Sequence, residues 1–181
     1  MGNFLSYENQ EFGTVICKTK DNINAYSSHN TVDEMVKNYM NGTFTGLRWQ
    51  CVEFVRRYLI ETKGITFDEV DNAYQIFNLE TFKDLETKNN IPINKNYNCH
   101  TKIPPKKGSL LVWNKSKDLE TGHVAIITNI SKFKRNYAII HIAEQNWINH
   151  KCTYYTRKFL IKYINNSFCI DDSNLLGWIN L

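Results

Sequence analysis

Apolar residues recur at helical spacing in one stretch of this chain and form alternating or continuous runs in several others. The pattern predicts one main helix packed on a set of strands. From Cys51, the residues Val52, Val55, Tyr58 and Leu59 fall on one side, Glu53, Arg56 and Arg57 fall on the other, and Gly64 supplies a stop. Thr31-Val32-Asp33-Glu34 is a capping-box pattern, after which Met35, Val36 and Tyr39 predict a short packing helix that ends by Gly42. Ala73, Ile76, Phe77 and Phe82 lie near helical spacing within residues 68–85 and predict a further helix. Residues 89–107, rich in Asn, Lys and Pro, show no periodicity and read as a long surface loop. Strands are expected over 108–113, from His123 to Ile127, over 137–142, over 153–159 and over 175–181, the last closing the sheet. His123, Ala125 and Ile127 would share one strand face, which would turn the imidazole toward the packed helix.

Composition narrows the class. A chain of 181 residues with 42% hydrophobic content suffices for one domain with one core. Residues 12–181 read as that domain, and 1–11 as a leader that is a candidate for disorder. The net charge of +4 is modest and the lysines are interspersed with acidic residues, which argues against nucleic-acid binding. Cys17, Cys51, Cys99, Cys152 and Cys169 are odd in number, with no Cys-x-x-Cys pair and no apolar signal segment before the domain. Reduced thiols in a cytoplasmic setting are the expectation. Cys99-His100 has no second ligand pair at metal spacing, so no metal site is expected. No run approaches the ~20 apolar residues that cross a bilayer.

The candidate chemistry centres on Cys51. A helix start carries partial positive charge and unpaired N–H groups, so a thiolate there is stabilised and an oxyanion can be held. Taken alone, Cys51 reads more readily as a buried structural thiol than as a nucleophile. A cysteine nucleophile needs a base, and His123 at the head of an apolar strand is the candidate; alone it could be a core histidine. The following strand runs into Glu144 and Asn146, two residues apart, either of which could accept from the imidazole N–H. Nucleophile, base and orienting group in this arrangement are those of papain-type catalysis. Gln50, beside Cys51, is a candidate oxyanion or substrate contact, against the plain reading of a surface glutamine. Arg56 and Arg57 read as a solvated face paired with Glu53.

Those residues resemble the amidase domain of glutathionylspermidine synthetase/amidase and trypanothione synthetase, within the CHAP superfamily of cysteine/histidine-dependent amidohydrolases/peptidases. The resemblance rests on Arg48-Trp49-Gln50-Cys51-Val52-Glu53-Phe54, Thr121-Gly122-His123-Val124-Ala125, Ile142-Ala143-Glu144-Gln145-Asn146 and Leu176-Gly177-Trp178. It extends weakly to Phe12-Gly13-Thr14-Val15 and Ala25-Tyr26-Ser27-Ser28. It implies an α+β papain-like CHAP fold, with the Cys51 helix packed on an antiparallel sheet bearing His123 and Glu144 or Asn146. It implies hydrolysis of a glutathione–polyamine amide such as glutathionylspermidine, without metal or organic cofactor. In that reading Arg56 holds a glutathione carboxylate, and Trp49 and Ser27 stand on the substrate side. The bifunctional relatives carry an ATP-grasp domain that has no counterpart here, so the hydrolytic half alone is implied.

Two other classes fit the same residues. A peptidoglycan amidase or endopeptidase would use the same pair on cell-wall cross-bridges, and a binding module would retain the conjugate without turnover. Separately, Met1-Gly2-Asn3-Phe4-Leu5-Ser6 fits the N-myristoylation pattern at Gly2, against chance occurrence of a short motif. Acylation there would give weak membrane association, since one chain binds marginally and Glu8 and Glu11 supply no basic patch nearby. Nothing in the sequence reads as an oligomer signal.

Overall fold

A computed structural model of the protein describes residues 8–29 and 36–181. Four antiparallel units are built in chain order. The strands β1 (Val15–Lys18) and β2 (Asn24–Tyr26) form a pair. A hairpin of β3 (Lys37–Met40) and β4 (Thr43–Leu47) leads into α1 (Cys51–Lys63). A three-stranded sheet joins β5 (Ile65–Thr66), β6 (Thr81–Asp84) and β7 (Asn90–Pro92) around a 3-10 helix, Ala73–Asn78. The main sheet takes β8 (Asn94–Tyr97), β9 (Leu110–Trp113), β10 (His123–Ile130), β11 (Tyr137–Ala143), β12 (Arg157–Ile164), β13 (Ser167–Ile170) and β14 (Leu175–Asn180). Its spatial order is β13-β12-β11-β10-β9-β14-β8. Among the described residues, no helix is long and apolar enough to cross a membrane.

This sheet curls until its ends meet. The segment after β8 lies along β13: the Cys99 N–H donates to the Phe168 carbonyl, the Phe168 N–H to the Thr101 carbonyl, and Asn98 bonds both ways with the Ile170 backbone. A disulfide between Cys99 and Cys169 staples the seam. That bond corrects the expectation of five reduced thiols; Cys17, Cys51 and Cys152 are free. The pairing was hidden because the two cysteines are 70 residues apart and meet only when the sheet closes.

Strand alternation sorts the core into two layers. Leu110, Val112, Val124 and Ile126 pack with Phe54, Val55 and Leu59 of α1. Leu111, Trp113, Ala125 and Ile127 face Ile140, Ile142, Ile161 and Trp178 inside the curl. Being covered on both faces, β9 and the Val124–Ile127 run of β10 are continuously apolar, which is why they show no polar alternation. The expected facing of β10 is therefore reversed: the helix covers the Val124 and Ile126 side, not that of Ala125 and Ile127.

Several elements differ from the sequence reading. Val36 and Tyr39 do not belong to a helix; residues 37–47 form a hairpin whose turn, Asn41-Gly42, has positive φ at both positions (47° and 77°), the type I′ geometry that matches strand twist. The Thr31–Glu34 capping pattern and Met35 lie outside the described residues, as does Gly2. The helix expected within 68–85 is a single 3-10 segment followed by β6. The expected loop 89–107 contains β7 and β8, and the strand expected from 153 begins at Arg157. Residues 175–181 do form a strand, but inside the sheet between β9 and β8.

The polar side of α1 is also not solvated: Glu53, Arg56 and Arg57 are all buried, because the β3–β4 hairpin and the segment around Phe67 cover it. Glu53 accepts from Asn38, Thr45, Arg57 and Gln145, so its charge is matched and its lone pairs are occupied. Arg57 further donates to the Asn24 carbonyl and to Gln145. Gly64 ends the helix in the left-handed conformation, its N–H reaching back to the Ile60 carbonyl.

Candidate active site

α1 begins at Cys51 with Gln50 in the extended N-cap conformation and no side-chain cap, so the N–H groups of the first turn are left for other acceptors. Gln145 fixes this end by donating to the Gln50 carbonyl at 3.2 Å and to Glu53 at 2.9 Å. Opposite stands His123, delivered by a turn that requires glycine. A Cβ on Gly122 would approach the Trp113 carbonyl to 2.6 Å and the Tyr74 side chain to 2.8 Å, and its φ is +65°. The imidazole meets the thiol at the start of β10, and its Nε2 bonds Glu144 Oε2 at 2.8 Å. That leaves Nδ1 for the Cys51 sulfur.

Glu144 is fully buried and held from three sides. Arg157 donates to its two oxygens at 2.7 Å each, and the Thr156 hydroxyl donates at 3.0 Å. Trp147 covers the imidazole, its ring centroid 4.9 Å from that of His123, with the Arg157 guanidinium 4.1 Å from the indole. Trp113 closes the other side at 5.6 Å. Thr156 and Arg157 carry no motif of their own. They reach the site because β11 and β12 pair in a register that sets Arg157 opposite Ile142.

The electrostatics follow from this packing. Burial penalises a charged sulfur, yet the adjacent imidazole and the N–H groups of Val124 and Val52 outweigh it and hold the Cys51 thiol below its ordinary range. Burial also opposes a charged imidazole, but Cys51 and then Glu144 push His123 up to about 9. Glu144, against the same burial, is drawn down to about 2 by His123 and Arg157. The arrangement favours a thiolate–imidazolium pair over a neutral thiol and imidazole.

The other singled-out residues separate. Asn146 is not hydrogen-bonded to His123; it lies past the end of β11 with a φ of 56°, and it instead donates to Gln50 Oε1 at 2.5 Å and accepts from Ser28. Gln50 and Cys51 line a cleft of about 850 Å³ together with Ser28, Arg56, Glu69 and Asp71. Arg56 lines it while donating Nη2 to the Phe67 carbonyl at 2.7 Å; its buried Nε has no hydrogen-bond partner among the described residues. Ser27 is fully buried and does not line the cleft, its hydroxyl bonded to the Gln10 carbonyl and to Asn149. Trp49 stacks on Tyr26 at 4.1 Å and beside Arg57, also away from the lining. Among the described residues, no three His, Cys, Asp or Glu side chains gather where a metal ion could be held.

A curled antiparallel sheet with one main helix, a cysteine at that helix's start and a buried histidine–carboxylate pair facing it define an α+β domain of the CHAP type. The match to the CHAP domain covers residues 42–146, and the chain belongs to that family. It is 30% identical over 195 residues, 99% of its own length, to the bifunctional glutathionylspermidine synthetase/amidase of Escherichia coli (strain K12). It is 33% identical over 141 residues, 77% of its length, to the trypanothione synthetase of Crithidia fasciculata. The chain spans 30% of the first relative and 21% of the second.

Proposed function

We propose that the protein is a cysteine amidase that cleaves glutathionylspermidine or a related glutathione–polyamine amide, releasing glutathione and the polyamine. The observation that carries this reading is the Cys51–His123–Glu144 arrangement, whose Cys51 lines a cleft, in a chain whose relatives include a glutathionylspermidine amidase. The Cys51 thiolate attacks the amide carbonyl. The oxyanion forms beside the first-turn N–H groups of α1, with the Gln50 side chain as a further donor. His123 gives its proton to the leaving amine, then takes one from the water that hydrolyses the thioester. Glu144 holds the imidazole through Nε2 and stabilises its charge, while Asn146 positions Gln50.

The cleft supports the substrate class because it presents both charges: Arg56 suits a carboxylate, and Glu69 and Asp71 suit a polyamine cation. Purified protein incubated with glutathionylspermidine is expected to release glutathione, and Cys51→Ala should lower turnover by roughly four orders of magnitude while keeping the wild-type circular dichroism spectrum. Lysis of peptidoglycan without glutathione release would overturn the substrate and leave the cysteine chemistry standing. Binding of the conjugate without any turnover would instead make this a binding module.

A further inference from the structure

The outward face of β11 and β12 lies apart from the cleft and has a chemistry of its own. Register sets Tyr137 opposite Lys162, Ile139 opposite Leu160 and His141 opposite Lys158, and directly opposed residues share a face. The alternate positions Ala138, Ile140, Ile142 and Ile161 fill the core. The outer face therefore displays Tyr137, Ile139, Leu160 and Ile164, each 38–46% exposed, with lysines interleaved. The β10–β11 turn adds Lys132, Lys134 and Arg135 at the end of these strands, while Phe133 between them packs its ring edge-on against Phe168.

The charge of this region is one-sided. Residues 131–170 contain seven lysines and arginines and one carboxylate, Glu144, which is buried against His123 and Arg157. Among the described residues, none of Lys132, Lys134, Arg135, Lys158 and Lys162 takes part in an ion pair. Burial, and then Lys158 and Lys20, hold the His141 imidazole below its ordinary range, in keeping with a positive field. The expectation of lysines interspersed with acids thus fails locally, since the fold gathers cations that composition averages away.

We propose that this face docks on a membrane leaflet rich in anionic phospholipid. Clustered cations meet the headgroup charge, and each contributes on the order of fivefold in affinity near such a surface. The centre of the face decides between partners. Ile139, Leu160 and Ile164 neither stack on bases nor hydrogen-bond, so they add nothing to a nucleic-acid contact, whereas apolar side chains gain by entering the interfacial layer. A single acyl chain gives only marginal attachment and stable anchoring takes a second signal. The basic apolar face is such a signal for the myristoylation pattern at Gly2, and it acts without the acyl chain.

The test uses the full chain, unacylated, sedimented with phosphatidylcholine vesicles and with vesicles containing about one-third phosphatidylserine. Binding is expected only to the second, with release at about 1 M salt, where screening shortens to ~3 Å. The Lys134→Gln, Arg135→Gln, Lys162→Gln triple variant should bind about a hundredfold more weakly at about fivefold per cation, with unchanged melting and unchanged amide hydrolysis. Should that variant fail to fold, Lys162→Gln alone should still lose about fivefold. Absence of sedimentation with either vesicle, equal binding to both, or wild-type binding by a folded triple variant would each overturn the proposal. So would displacement of the protein from the vesicles by an RNA or DNA oligonucleotide at the same salt, which would assign the face to nucleic acid.

Discussion

At the scale of single residues, the thiolate–imidazolium pair predicts how activity depends on pH. Cys51 is held below its ordinary range, so the thiolate is lost only as pH falls through that lowered value. His123 is raised to about 9, so the proton that the leaving amine needs is lost as pH rises through about 9. The pH profile of kcat/KM should be bell-shaped with its alkaline limb near 9. Glu144→Gln removes the charge that helps hold this proton, so the alkaline limb should move down and kcat should fall tenfold to ten-thousandfold. A matching loss with no movement of the limb would leave Glu144 a merely structural role. The sequence singled out Cys51, His123 and the pair Glu144 and Asn146 as candidates, and it did not rank that pair. Two residues apart on a strand means one face, but the strand ends at Ala143, before both residues, and Asn146 takes a left-handed backbone.

At the scale of elements, the start of α1 depends on charges that a helical wheel assigns to solvent. Arg57, Glu53 and Gln145 form a closed network that sets the position of Gln50 and with it Cys51. Arg57→Met would leave Glu53 buried with its principal cation gone, a loss of about 3–5 kcal/mol for a broken buried pair. At roughly 2–4 °C per kcal/mol for a chain of this size, the melting midpoint should drop by about 6–20 °C. Scanning calorimetry checks this, and Glu53→Gln combined with Arg57→Met should recover part of the loss. The helix was legible from its periodicity and its Gly64 stop, but its second covering layer was not, because the hairpin that buries it is a tertiary contact. That hairpin did have a local signal: Asn41-Gly42 is a strong two-residue turn, and Asn165-Asn166, also at positive φ, makes the same connection between β12 and β13. Near-helical spacing of Val36 and Tyr39 competed with the turn chemistry, and the turn prevailed.

For the whole molecule, the seam between the segment after β8 and β13 predicts a stability contribution that no single element carries. Closing a loop of 70 residues restricts the unfolded chain, and Cys99→Ser with Cys169→Ser should lower unfolding free energy by about 4 kcal/mol, within the usual 2–5 for a lost native bridge. Urea unfolding with and without a thiol reductant reads the same quantity in the wild-type chain; coincident midpoints would show that the two sulfurs contribute nothing as a bond. The order of the strands could be anticipated only in part. Adjacent strands from β9 to β13 follow one another as simple antiparallel neighbours, whereas the insertion of β14 between β9 and β8 is set by closure of the sheet and has no local sequence mark.

The same bridge also partitions the proposed machinery. Residues 99–169 become a covalent ring, and that ring contains His123, Glu144, Thr156 and Arg157, while Cys51 and the whole of α1 lie on an arm outside it. Unfolding therefore treats the two halves differently. The acid–base half stays confined within one loop even in a denatured chain, and the nucleophile is the part that must find its way home. Recovery of activity should then follow the docking of one helix against a tethered partner, rather than the independent meeting of all five residues.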